Sequence, residues 1–220
     1  MPRDQNGAEA RSRHSPRQLA RSLMQRRGTT MAEELGIDLR RDGPSAWFRL
    51  LCVASLLSAR IDARIATAAA KGLAGAGWTT SGKLAGSSWE ERVRVLHEAG
   101  YTRYQERTAT MLGGMAEQVE GRYGGDLRRL RDQARRDPGA ERRLLKQLPG
   151  LGDVGVDIFF REAQAAWSEL RPFADSRALR AAKRLGLGQN ADDLAGVVAE
   201  ERLPQLVAAL VRTDLEEAKR

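Results

Sequence analysis

A single cysteine, Cys52, excludes any disulfide framework in this 220-residue chain, and with it any cluster held by four thiolates. Histidine is almost as scarce. His14 and His97 are the only two, so neither a zinc site nor a Cys–His nucleophile is expected, and no metal or cofactor is. Cys52 lies in the apolar run Leu50-Leu51-Cys52-Val53-Ala54, where it reads as a small buried hydrophobe rather than a reactive thiol. Aromatic residues make up only 5% of the chain while Ala, Leu and Arg dominate, a balance that suits helices. No apolar run approaches the ~20 residues that cross a bilayer, and the polar N-terminal region has no signal-peptide core. A soluble, cytoplasmic protein with no membrane partner is expected.

What is abundant is arginine. The net charge is +8, and residues 1 to 27 supply +5 of it: Arg3, Arg11, Arg13, Arg17, Arg21, Arg26 and Arg27 stand against Asp4 and Glu9. Residues 1–15 are polar and aperiodic, which reads as a disordered basic arm. Such an arm either adds salt-sensitive DNA affinity or is simply solvated.

The rest reads as a succession of helices: from Pro16 through Leu19, Leu23 and Met24, then 46–57 and 63–73, a Gly/Ser/Thr-rich loop over 75–86, then 127–134, 140–148, 153–166, 191–200 and 203–211. Ser88 with Glu91 forms a capping-box pattern, and Thr102 with Gln105 forms another, opening a helix toward Val119. No period-2 strand and no internal repeat is visible.

The pattern richest in chemistry is Leu148-Pro149-Gly150-Leu151-Gly152, between a charged helical segment and an apolar one. Pro and two glycines make a tight hairpin, and the next helix opens with unsatisfied N–H groups and partial positive charge. A phosphate docks on such an end without a side chain. Asp175 follows 23 residues after Gly152, where it either caps the helix that begins there or does chemistry, or both.

Gln147-Leu148-Pro149-Gly150-Leu151-Gly152, followed by Phe173-Ala174-Asp175-Ser176-Arg177 and by Arg184-Leu185-Gly186, resembles the helix-hairpin-helix DNA glycosylases of the endonuclease III group. Leu56-Leu57-Ser58-Ala59-Arg60-Ile61-Asp62 and the segment Gly100 to Arg107 are similar to two further family segments, so the resemblance spans about residues 44 to 190. It implies an all-α, two-lobed fold: a central lobe of residues 42–168 ending in the helix-hairpin-helix, a terminal lobe of 16–41 and 169–220 carrying the catalytic Asp, and a cleft between.

Two departures accompany the matches. Bifunctional members carry a Schiff-base lysine at the position of Val154, and valine is no nucleophile, so the lyase step should be missing. Of five lysines, Lys146 is nearest in sequence to the hairpin. The iron–sulfur cluster of many members is excluded by the cysteine count.

The resemblance implies that Asp175 stabilises the oxocarbenium character of the sugar as the base departs. Gly150, Gly152 and the amides of Val154 and Gly155 would hold backbone phosphate, Arg60 would enter the gap left by a flipped nucleotide, and Arg177 and Arg180, with Lys183, would reach phosphates. Asp153 would repel a phosphate unless a cation offsets it, and Asp62 either pairs with Arg60 or caps a helix. Ser55, Ser58, Tyr104 and Asp157 are candidates for reading the base. The expectation is a monomeric, monofunctional base-excision glycosylase acting on duplex DNA with a damaged or mispaired base, at the nucleoid. A noncatalytic DNA-binding paralogue and a glycosylase/lyase with a relocated amine are the alternatives.

Overall fold

A computed structural model describes residues 15–218 of the chain. The basic arm expected over 1–15 lies, apart from Ser15, outside the described residues. The helices are α1 (Pro16–Arg27), α2 (Met31–Glu34), α3 (Pro44–Ser58), α4 (Ala63–Gly75), α5 (Ser81–Ala85), α6 (Trp89–Glu98), α7 (Gln105–Tyr123), α8 (Leu127–Gln133), α9 (Pro138–Leu145), α10 (Asp153–Ala163), α11 (Ser176–Leu185), α12 (Ala191–Ala195) and α13 (Leu203–Glu217). Three short 3-10 turns, including Ser168–Leu170, join them, and there is no strand among the described residues. None of these helices is long and apolar enough to cross a membrane.

Local chemistry starts these helices. Ser15, Thr30, Ser88 and Asn190 close reciprocal capping boxes, while Pro16, Pro44 and Pro138 occupy the first turn, where a missing N–H costs nothing. Three expectations fail, one of them simply because the helix read over 191–200 stops at Ala195, ahead of Gly196. The 75–86 loop contains α5, because Leu84 and Ser81 are drawn into the interior and the Ser81 hydroxyl donates to Glu120 Oε1 at 2.6 Å. Thr102 and Gln105 form no capping box: α7 starts at Gln105 behind Tyr104, whose φ of +65° is left-handed, and the Gln105 amide oxygen faces His97 Nδ1 at 3.1 Å.

Two apolar cores organise the chain. The larger is built around α3, α7 and α10, with Trp47, Phe159 and Trp167 in mutual ring contact at centroid separations of 4.5–6.2 Å. The smaller joins α1, α11 and α13 through Leu23, Ala178, Ala181, Ala182, Leu206 and Leu210. Within the 16–41 segment, Ala20 and Leu23 belong to the smaller core, whereas Ala32, Ile37 and Leu39 belong to the larger. The chain stays in the larger core through Trp167 and Leu170 and enters the smaller one at α11, so residues 171–175 bridge the two.

Candidate nucleic-acid interface and active site

The hairpin between α9 and α10 is closed by the Leu151 N–H donating to the Leu148 carbonyl at 3.2 Å, with both leucines buried. Gly150 has φ +81°, so its backbone demands glycine, and a Cβ there would lie 2.8 Å from Met111 Cε and 2.9 Å from Ser55 Oγ, side-chain ends that would have to shift. Gly152 differs: it is exposed and a Cβ on it would meet nothing within 4 Å. The first bond of α10 runs from the Val156 N–H to the Gly152 carbonyl, 3.0 Å. The N–H groups of Asp153, Val154 and Gly155 therefore have no acceptor within the helix, and no side chain caps them. Val154 is 59% exposed at this end. Gly155 is buried, with Leu151 and Ser58 close to where a Cβ would stand, so packing also explains this glycine.

Asp153 is already answered. Lys146 Nζ lies 2.8 and 2.9 Å from its two carboxylate oxygens, and that hydrogen bond holds the carboxyl below the usual range. The lysine nearest the hairpin is thus engaged in neutralising its acidic residue. Arg142 adds a more distant contact to Asp153 at 3.8 Å and a 2.6 Å bond to Asp157.

Asp175 is 7% exposed and caps α11. Its Oδ1 accepts the N–H groups of Arg177 and Ala178, each at 3.0 Å, and its Oδ2 accepts a 2.6 Å bond from Arg161 Nη1. Sequence reasoning missed Arg161. It sits on α10 with a side chain 8% exposed, and its neighbour Glu162 accepts the Ala32 N–H at 2.9 Å through its Oε2. The two charges in the apolar context Ile158-Phe159-Phe160-Arg161-Glu162-Ala163 were the available signal, since dry charges on a core helix require partners. Gln164 was also missed. Its Nε2 donates to the Arg161 and Phe173 carbonyls at 3.1 and 2.9 Å and its Oε1 accepts the Phe173 N–H at 3.1 Å, fixing the bridge two residues before Asp175.

The other expected residues scatter. Arg60 is exposed in the bend after α3, and Asp62 caps α4 through the Arg64 N–H at 2.8 Å. Arg177 and Arg180 have half-exposed side chains that also meet an acid. They approach Asp214 of α13 at 3.5 and 2.8 Å, and Arg184 joins them at 3.2 Å. Burial pushes Asp214 up, but the hydrogen bonds from Arg180 and Arg184 outweigh it and hold its carboxyl below the usual range. Lys183 is exposed on another face of α11. Ser55 donates to the Gly150 carbonyl at 3.4 Å and braces the hairpin, whereas Ser58 donates to the Ser55 carbonyl within α3 at 2.7 Å. Tyr104 is exposed, with the Arg103 guanidinium 4.9 Å from its ring centre.

The residues do not fit an iron–sulfur cluster. Cys52 is buried, and burial pushes its thiol up to about 12, the opposite of a metal ligand.

No family model matches the chain, and no curated protein does. Among solved structures it is similar to a trapped endonuclease III–DNA covalent intermediate, an estranged-adenine complex, at TM-score 0.50 and 18% identity. That likeness covers 89% of this chain and 84% of the other. A non-covalent endonuclease III–DNA complex follows at TM-score 0.49 and 17% identity over the same shares of the two chains. With its helical cores, its hairpin ahead of α10 and Asp175 at the head of α11, the chain has the endonuclease III helical fold.

Proposed function

We propose that this protein is a monofunctional DNA glycosylase that binds duplex DNA, extrudes a damaged or mispaired base and hydrolyses its N-glycosidic bond, acting as a monomer at the nucleoid. The observation that carries this reading is the joining of two features by one helix. The first turn of α10 offers three unpartnered amides at an open glycine, and its far end holds Asp175 through Arg161. Amides and helix dipole suit a phosphate, which positions the duplex without reading sequence. Asp175 suits the sugar. As the C1′–N electron pair leaves with the base, the carboxylate faces the growing positive charge; water then forms the new C1′–O bond and sheds its proton through the carboxylate to solvent. Val154 supports hydrolysis rather than imine formation, and the Lys146–Asp153 pair supports the same reading, because a paired ammonium is a poor nucleophile.

One observation favours the noncatalytic alternative: Asp175 is a satisfied cap and an ion-pair partner, roles that need no substrate. A cleavage screen separates the readings. Duplexes carrying uracil, oxidised pyrimidines, 8-oxoguanine pairs, alkylated purines or mismatches are incubated with the protein and with Asp175→Asn, then treated with or without alkali. The proposal expects breaks only after alkali on at least one duplex, slowed by roughly a hundredfold or more in the variant. Breaks without alkali, with borohydride trapping, would indicate a relocated amine. Binding without cleavage on every duplex would leave a DNA-binding paralogue.

A further inference from the structure

We infer that Arg161 is the positioning residue of Asp175, fixing which oxygen, and which lone pair of it, the carboxylate presents to a sugar in the cleft; this rests on the reading of Asp175 as the group that faces the sugar. An ionised carboxylate has about four acceptor directions. Three are used: two on Oδ1 by the Arg177 and Ala178 amides, and one on Oδ2 by Arg161 Nη1. One direction on Oδ2 remains, and Asp175 keeps a 7% opening to the outside. The backbone pins Oδ1 to α11, but only Arg161 pins Oδ2, so the guanidinium decides where that last acceptor points.

Arg161 is itself held against swinging away. Its side chain is 8% exposed, its Nε faces Glu162 Oε1 at 3.6 Å, and its carbonyl accepts from Gln164, the same side chain that bonds both the N–H and the carbonyl of Phe173. Burial pushes Glu162 up, with Arg161 and the Ala32 amide opposing it, and Glu162 spends its Oε2 on Ala32. The charge of Arg161 is therefore answered chiefly by Asp175. The hairpin and the carboxylate lie at the two ends of α10, so a duplex phosphate seated at Gly152 and the acceptor at Asp175 keep one fixed spacing.

The inference is tested without knowing the base. The probe is a duplex in which one nucleoside is replaced by a pyrrolidine, whose protonated ring nitrogen stands near the developing charge; the control carries a neutral tetrahydrofuran abasic site. Affinities of the full chain, Arg161→Met, Arg161→Lys and Asp175→Asn are measured at one salt concentration, because phosphate binding is salt-sensitive. The expected result is a preference for pyrrolidine of at least about tenfold in the unaltered protein, as binding follows transition-state charge. It falls to about twofold in Arg161→Met, stays mostly intact in Arg161→Lys, and tetrahydrofuran affinity changes little throughout. Adding Arg161→Met to Asp175→Asn should change nothing further.

A full preference in Arg161→Met, or a parallel loss of both affinities, would overturn the inference, since a merely structural arginine does the latter. If Arg161→Met does not fold, Arg161→Lys decides, because an ammonium donates to one oxygen without the planar fork; a Lys variant behaving like Asp175→Asn in a folded protein counts against the inference. No preference in the unaltered protein also overturns it. An intact, Arg161-dependent preference with no cleavage of any lesion duplex would instead sink the glycosylase reading and leave the positioning role standing.

Discussion

Asp175 and Asp214 are almost equally dry, at 7% and 5% exposure, and both meet arginine, yet they are built for different ends. Asp214 is surrounded by Arg177, Arg180 and Arg184, successive residues on one face of α11, whose side chains are 43–52% exposed. Water shares those guanidinium groups, so each contact is weak and the set ties α11 to α13 within one core. Asp175 has a single arginine, brought from the other core and as dry as itself. Where neither partner is hydrated, the attraction is strong but unforgiving: removing one leaves a bare charge. The lesson is that the hydration of the cation, more than the burial of the acid, separates a charge cluster that glues from one that orients.

The largest effect should come from breaking the dry pair. Arg161→Met strands the Asp175 carboxylate and should lower unfolding free energy by about 3–5 kcal/mol in a urea titration. Glu141 provides an intermediate case, since it is fully buried and neither oxygen has a hydrogen-bond partner among the described residues. Burial and then the neighbouring Glu169 charge push it from 4.5 up to about 8. The folded protein keeps a proton that the unfolded chain releases, so stability is fullest below the ordinary glutamate value and is lost as pH rises through about 8. Glu141→Gln should remove that fall and be more stable at pH 8 by a few kcal/mol, read from urea midpoints at several pH values. Asp214→Asn should cost only about 1 kcal/mol, because its arginines regain water. Equal losses for Asp214→Asn and Arg161→Met would erase the distinction between hydrated and dry partners.

Much of the fold was legible because it is written locally. Ser88 with Glu91 and Asp175 at a helix head are contacts within three residues, and Gly150 is demanded by its own backbone. Apart from the Thr102–Gln105 cap, prevented by the left-handed backbone of Tyr104 next to it, and the stop of α12 ahead of Gly196, what was missed depends on distant residues. For Arg177 and Arg180 the sequence did not show that both also approach Asp214 on α13, 34 residues beyond Arg180. Arg161 was passed over because its partner is 14 residues away, across the bridge between the cores. The α5 turn was read as loop because its composition is Gly- and Ser-rich, and only burial of Leu84 overrides that preference. Periodicity and caps place helices; which of two arginines is spoken for depends on what folds over it.

The Lys146–Asp153 pair lies at the wet extreme of the same comparison, with side chains 42% and 67% exposed. Its meaning is not stability but the charge beside the α10 amides. Asp153→Asn frees the lysine without touching the hairpin backbone and takes one negative charge from the place where a phosphate would seat. Stability should stay unchanged within the error of a urea titration. Affinity for an undamaged duplex should rise by a few fold, and the slope of log K against log salt should steepen by about one, the signature of one more neutralised phosphate. A slope that does not move would mean that Lys146 stays out of reach of DNA, and that the hairpin grips by its amides alone.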